Sequence, residues 1–338
     1  MRQSSTLLSD TPIRLWDLTF PGDRVHVHRT RLVYIHLENL LHFSKIDRDG
    51  RVDGYIAAWL PNEVLLLLIR GGEVITAVSM ADEGRTVQPI AQALDRMRQE
   101  VERSDLAFIE ASTTQLSMMY GACAGPLARR PVATAEPGML FAALQHERFT
   151  GTLELISDGS VNYFRFQQGQ FQDGYFCAKR EDETVGRYVE RLLNPREDGS
   201  ARVIVATVFT HPAELPEQAP PALIETYRDL FWRIAEAAEV TTPNDAMKRA
   251  YRIRDALQGT HAVLGAIGVP RDRTAVAVVA SPTQLTWALA DWTLQLLEQL
   301  EVIAPGIAPA VLKEATREQR FVLQKAGFYQ RLPWTVAW

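Results

Sequence analysis

Cysteine is almost missing from this chain: Cys123 and Cys177 are the only two in 338 residues. They form neither a metal-spaced pair nor a disulfide framework, which points to a cytoplasmic setting. Long apolar runs are missing as well. Val64 to Ile69 is strand-sized and bracketed by Glu63 and Arg70, whereas a membrane helix needs about 20 apolar residues. The opening residues carry acid and proline where a signal peptide needs a continuous apolar stretch, so no leader is expected. Neither sign of charge is in large excess. Lys and Arg number 36 against 41 Asp and Glu, leaving −5, which argues against general affinity for nucleic acid or anionic membranes. Nucleotide and hydrolase signatures are absent too. Arg70-Gly71-Gly72-Glu73 has no Lys-Ser/Thr behind it and reads as a hairpin turn, and no G-x-S-x-G elbow occurs.

What is present is core material. The chain is 46% hydrophobic and 23% charged, enough for more than one folded core. Two proline-rich stretches divide it, Gly125 to Gly138 and Pro212 to Pro221. Proline removes a donor and biases its predecessor to extended geometry, so neither stretch fits inside a helix or a central strand. The reading is an N-terminal arm (1–29), a module (30–125), a linker (126–137), a second module (138–211), a linker (212–221) and a helical segment (222–338).

The two modules read as copies of one unit. Gly54 and Gly72 stand 18 residues apart, as do Gly151 and Gly169. At an offset of 97 the apolar positions pair, among them Ile56 with Leu153, Val64 with Val161 and Ile69 with Phe166. Each copy shows a strand, a tight polar turn (Pro61-Asn62 or Asp158-Gly159), an alternating strand, a glycine turn and a short strand. A Leu-rich helix precedes them, and a second helix and a last strand follow. The unit is therefore α-β-β-β-α-β, and the expected fold class is α+β with mixed or antiparallel sheets. Gly54, Gly72, Gly151 and Gly169 are expected to be structural turns that superpose in pairs.

The last segment reads as mainly helical. Leu223, Tyr227, Leu230, Phe231 and Ile234 form one helical stripe, and Ser281-Pro282 is an N-cap followed by proline at the first helical position. Ala304 to Pro309 breaks one helix from the next, Gly327 suits a C-terminal cap, and Thr274 to Ala280 reads as one intruding strand. The tail carries four aromatics in its last eleven residues. So much apolar surface must dock, on its own domain or on a neighbour.

Candidate chemistry is thin. Asp47 to Leu60 mimics a calcium loop, but Arg51 and Leu60 stand where ligands are needed. His26, His28, His36 and His42 cluster without a spaced Asp, Glu or Cys to complete a zinc site. Lys248, Arg249, Arg252 and Arg254 make a basic helix face diluted by Asp245 and Asp255. No catalytic, cofactor-binding or metal-binding residue is assigned, and no cofactor is expected.

Residues 140–176 carry a further pattern: Phe149-Thr150-Gly151-Thr152-Leu153-Glu154-Leu155 after a Leu-rich helix, then Phe164-Arg165-Phe166-Gln167-Gln168-Gly169. This stretch resembles the PATAN domain of bacterial signalling proteins, and Gly54-Tyr55-Ile56 with Ile69-Arg70-Gly71-Gly72 resembles it more weakly. The resemblance implies an interaction module in signalling or motility, and it brings no catalytic residue. The receiver pattern that often accompanies such domains does not occur here.

The leading expectation is thus a non-catalytic cytoplasmic adaptor that binds a protein partner or a second copy of itself, through Trp287, Trp292, Trp334 and Trp338. Trp59 belongs to the same aromatic surplus. The alternative is a small-molecule or nucleotide sensor or enzyme, with Tyr163, Phe166, Tyr175 and Phe176 lining a pocket between the modules. With no complete ligand set in the sequence, folding should need no metal. Elemental analysis of the purified chain is expected to find zinc and calcium well below one equivalent; stoichiometric metal would contradict this.

Overall fold

The computed structural model describes residues 13–46, 51–132, 138–196, 198–241, 246–269 and 277–338. The fold is α+β, with two antiparallel sheets and a helical C-terminal region. It divides into two compact units, residues 1–88 with 92–216 and residues 217–338 with 89–91.

In the first unit, β1 (Arg24–Arg31) and α1 (Leu37–Ile46) precede β2 (Gly54–Leu60), β3 (Glu63–Arg70), β4 (Glu73–Ala81) and β5 (Gly84–Gln88). Then come α2 (Ile90–Gln99), β6 (Asp105–Glu110), α3 (Thr113–Ala124) and β7 (Ala128–Arg130). The second copy supplies α4 (Met139–His146), β8 (Gly151–Ser157), β9 (Ser160–Gln167), β10 (Gln170–Tyr175), α5 (Val185–Leu193) and β11 (Ile204–Phe209). The sheet orders are β1-β6-β2-β3-β4-β5 and β10-β9-β8-β11-β7.

The α-β-β-β-α-β unit is visible in both copies, with β5 inserted in the first. Gly54 pairs with Ile69 across β2 and β3, and Gly151 pairs with Phe166 across β8 and β9, an offset of 97 on both sides. A bulge falls at Ile75 in β4 and at the matching Gln172 in β10. The glycines sit in matching cradles. A Cβ on Gly72 would stand 2.5 Å from the Ser44 carbonyl oxygen at the end of α1, and one on Gly169 would stand 2.6 Å from that of Gln145 in α4. Their φ values of +80° and +79° are left-handed, which glycine adopts at least cost. Gly54 and Gly151 open their strands against the backbone of β6 and of the residues around Phe209.

Each sheet buries both faces. Ile56, Ala58, Leu65, Leu67 and Phe108 form one face of the first sheet, where Phe43 of α1 meets Phe108 edge-on. Leu153, Leu155, Phe164 and Phe166 of the second sheet pack with Leu140 of α4 and Leu192 of α5. The remaining faces share one core: Tyr55, Ala57, Trp59, Leu66 and Leu68 join Ile156, Val161 and Tyr163, with Leu116 and Met119 of α3.

Three sequence expectations change here. The two copies share one compact unit rather than standing as separate modules, because the common core joins them. The arm and linker boundaries also move. Residues 24–31 form β1, Leu18 and Phe20 lie in the shared core, and Ala128–Arg130 add β7 at a sheet edge, where missing donors are tolerated. Residues 113–124 form α3, which sequence reading left unassigned.

The second unit comprises α6 (Pro221–Thr241), α7 (Ala246–Leu257), α8 (Leu264–Ile267), α9 (Pro282–Glu301), α10 (Ile307–Thr316) and α11 (Arg320–Lys325). Tyr227, Leu230, Phe231 and Ile234 of α6 are buried against Leu285, Leu289 and Leu296 of α9. Ser281 and Gln284 make a reciprocal capping box at the start of α9. Gly327, at φ +80°, closes α11 as expected, with the Phe328 amide donating to the Leu323 carbonyl. The strand expected at Thr274 to Ala280 falls partly outside the described residues, and residues 277–280 have no strand.

A buried ion pair crosses the shared core of the first unit. Arg85 of β5 meets Glu154 of β8 through both terminal guanidinium nitrogens, at 2.7 and 2.9 Å, with side chains only 2% and 0% exposed. Its charge is firmly held: desolvation works against it, but the Glu154 carboxylate raises the guanidinium pKa above its usual value. Removing one partner strands a buried charge, so Arg85→Met or Glu154→Gln is expected to cost about 3–5 kcal/mol in urea unfolding. The double change Arg85→Met/Glu154→Leu should recover most of that loss; if it costs as much as either single change, the pair is not what couples the sheets.

Candidate functional site

The glycines expected to be structural turns lie at turns and strand starts, as described above. The aromatic residues expected at interfaces separate into two groups. Trp292 is fully buried, stacks on Phe231 with ring centroids 4.1 Å apart, and donates its indole N–H to the Ala250 carbonyl. It belongs to the core, since position 292 falls on the inward stripe of α9, and so the expectation of an interacting Trp292 is corrected. Trp59 is core as well, donating to the Leu18 carbonyl and holding the Arg29 guanidinium over its ring. The tail docks on its own domain: Leu332 is buried, and Trp334 and Val336 pack against the helical core.

Trp287 and Trp338 remain 48% and 49% exposed. Arg331 lies over the Trp287 ring at 4.7 Å, and Arg320 lies over both Phe321 and Trp338 at 4.3 and 5.7 Å. Tyr329 meets Trp338 edge-on. With Phe321, 68% exposed, these side chains make up two exposed aromatic and arginine groups on the helical unit, Trp287 with Arg331 and Trp338 with Arg320, Phe321 and Tyr329.

The aromatic set expected to line an inter-copy pocket is split by strand alternation. Tyr163 and Tyr175 face the shared core, whereas Phe166 and Phe176 face α4 and α5. A cleft does lie between the copies, but other residues line it. It holds about 720 Å³ and is bounded by Arg70 at the end of β3, by Thr113, Thr114 and Ser117 of α3, by Arg165 of β9, and by His211 and Glu214. A second cavity of about 320 Å³ shares Arg165 and His211 with it.

Each wall is positioned by identifiable contacts. Ser112 caps α3 by accepting from the Gln115 amide, and the Ser112 hydroxyl also donates to Tyr175. Arg165 donates through Nε to Asp173 at 2.9 Å. His211 Nδ1 lies 2.6 Å from the Thr152 hydroxyl, and burial, aided by the nearby Arg165 charge, lowers its pKa below the ordinary histidine value. The sequence signal for this site was slight, because Arg165 and Arg70 sit among strand residues that alternate without distinction.

Among the described residues, no group of three or more His, Cys, Asp or Glu side chains is placed to hold a metal ion. His26 stacks on Phe108 beside Glu110, while His28 and His42 are exposed elsewhere. Asp49 of the calcium-like loop lies outside the described residues, and Asp53 accepts from the Gly71 amide. On the basic helix, Arg254 donates to the Gly268 carbonyl and covers Tyr251, which accounts for it structurally.

Neither thiol is poised for reaction. Burial pushes both Cys123 and Cys177 up to about 12. Cys177 donates to backbone carbonyls of Thr19 and Val161. Both thiols should therefore resist a disulfide reagent at pH 8 until the chain unfolds. Between the ordinary value of 9.0 and about 12, the unfolded chain loses protons that the folded chain keeps. Stability should accordingly fall as pH rises through that window. Rapid labelling of either cysteine in the native protein would show that the site is open.

Compared with known proteins, the chain matches no family model, no curated protein and no solved structure.

Proposed function

We propose that this protein is a non-catalytic adaptor of bacterial signalling or motility, acting in the cytoplasm through a protein partner. The observation that carries the reading is the exposed surface of Trp287, Phe321, Arg320, Arg331 and Trp338 on the helical unit. Aromatic residues and arginine are the types enriched at protein interfaces, and a stacked guanidinium loses little freedom when it is covered. The likeness of residues 140–176 to the PATAN domain supports the same reading. So do the two buried, protonated thiols, since no described cysteine is set up as a nucleophile. No helix among the described residues is long and apolar enough to cross a membrane, in keeping with a partner reached from solution.

The double variant Phe321→Ala/Trp338→Ala tests the surface. Both side chains are largely exposed, so thermal unfolding should stay within about 0.5 kcal/mol of wild type. Affinity capture from a bacterial lysate should recover a protein on the wild-type chain that the variant fails to hold, and light scattering would reveal whether that protein is a second copy. If both chains hold the same proteins, this surface is not the interface.

A further inference from the structure

The cleft between the two copies is independent of the aromatic surface, and its walls point to a ligand of definite chemistry. Three observations converge. The first is the start of α3. Ser112 satisfies the Gln115 and Leu116 amides, whereas the Thr113 and Thr114 amides have no partner among the described residues. Two unpaired N–H groups at a helix start favour an anion.

The second is Ser117, one turn further along α3. It is 3% exposed, lines the cleft, and has no hydrogen-bond partner among the described residues. A hydroxyl so deeply placed is normally satisfied, and here the open side is the cleft.

The third is the pair of guanidinium groups, one from each copy. Arg165 has Leu68 as its counterpart at the offset of 97, and that leucine is wholly buried. The fold thus accepts an apolar side chain at this register, so the charge is not required for folding. Arg165 pairs with Asp173 through Nε and one terminal nitrogen, which leaves its other terminal nitrogen without a partner among the described residues where the side chain lines the cleft. Arg70, at the last position of β3, lines the same cleft.

We propose that this cleft binds a small phosphate ester, with the phosphoryl group between Arg70, Arg165 and the start of α3, where Ser117 donates to it. The adjoining cavity shares Arg165 and His211 and is lined by Gln167, Gln172 and Thr210. Those amides and hydroxyls suit the uncharged, hydroxylated part of the ester. Each cavity falls within the size range of metabolite sites, and a guanidinium N–H donates charge-assisted hydrogen bonds to phosphoryl oxygens. Glu214 borders the same cleft and disfavours a ligand that is anionic along its whole length.

The test is calorimetric titration of the full chain with ribose 5-phosphate and adenosine monophosphate, alongside ribose, adenosine, inorganic phosphate and sulfate. At least one ester should bind, and its dephosphorylated counterpart should not. Arg165→Gln and Ser117→Ala should each weaken that binding about ten- to a hundredfold. Ser117→Ala removes a hydroxyl with no partner, so its unfolding temperature without ligand should match wild type. That readout separates a ligand contact from a structural one. Binding of neither ester would overturn the proposal, as would equal binding in the Arg165 variant. Saturation by inorganic phosphate or sulfate with no gain from either ester would reduce the site to an adventitious ion only and overturn the ester assignment.

Discussion

The first unit depends on one buried ion pair. Arg85 stands on β5, the strand that the first copy has and the second lacks, and its partner Glu154 stands in the middle of β8. At the offset of 97, Glu154 corresponds to Ala57, which is buried in the same shared core. A duplicated unit could in principle stack in several registers, since apolar faces slide at little cost. A carboxylate at the centre of one face admits only the arrangement that brings a guanidinium to it, because leaving it unpaired costs several kcal/mol. The pair therefore contributes specificity more than net stability. The strand that breaks the symmetry of the duplication is also the strand that fixes how the copies meet.

The same asymmetry explains where polar chemistry collects. In the first copy the inward face is Tyr55, Ala57, Trp59, Leu66 and Leu68, almost wholly apolar. At the matching positions the second copy has Thr152, Glu154, Ile156, Tyr163 and Arg165. One copy is a hydrophobic floor and the other a polar wall. Tyr163 is buried with its hydroxyl unpaired among the described residues, and burial raises its pKa well above the usual tyrosine value. Toward the end of that wall α3 no longer fills the gap between the sheets, and there Arg165 and His211 reach the cleft.

Much of this architecture was legible in the amino-acid sequence because it rests on local rules. The paired glycines, the polar turns and the alternating strands are set by backbone geometry within a few residues, so Gly72 and Gly169 could be matched by spacing alone. What was not legible depends on tertiary burial. Glu154 in an alternating strand reads as a solvated position, and nothing local reveals that both faces of β8 are covered. Helix α3 was missed for a related reason: Ser117-Met118-Met119 and Gly121-Ala122-Cys123 are buried on all sides, so the helix carries no amphipathic period to detect. The tryptophans show the limit of composition. Trp287 and Trp292 lie five residues apart on α9, and that spacing turns one to solvent and the other into the core.

The cleft shows how duplication can create a site without a catalytic motif. Neither copy alone holds the set: Arg70 comes from the first, Arg165 and His211 from the second, and the hydroxyls from the helix that follows the first. Each arginine occupies a strand position where its counterpart is uncharged, Gln167 for Arg70 and Leu68 for Arg165. The repeated frame thus fixes the backbone twice over, through shared register, shared bulges and shared glycine cradles, while the side chains on its facing surfaces diverge. Because Arg70 and Arg165 sit on strands and Ser117 on a capped helix, secondary structure holds these walls, which lowers the cost of ordering them on binding.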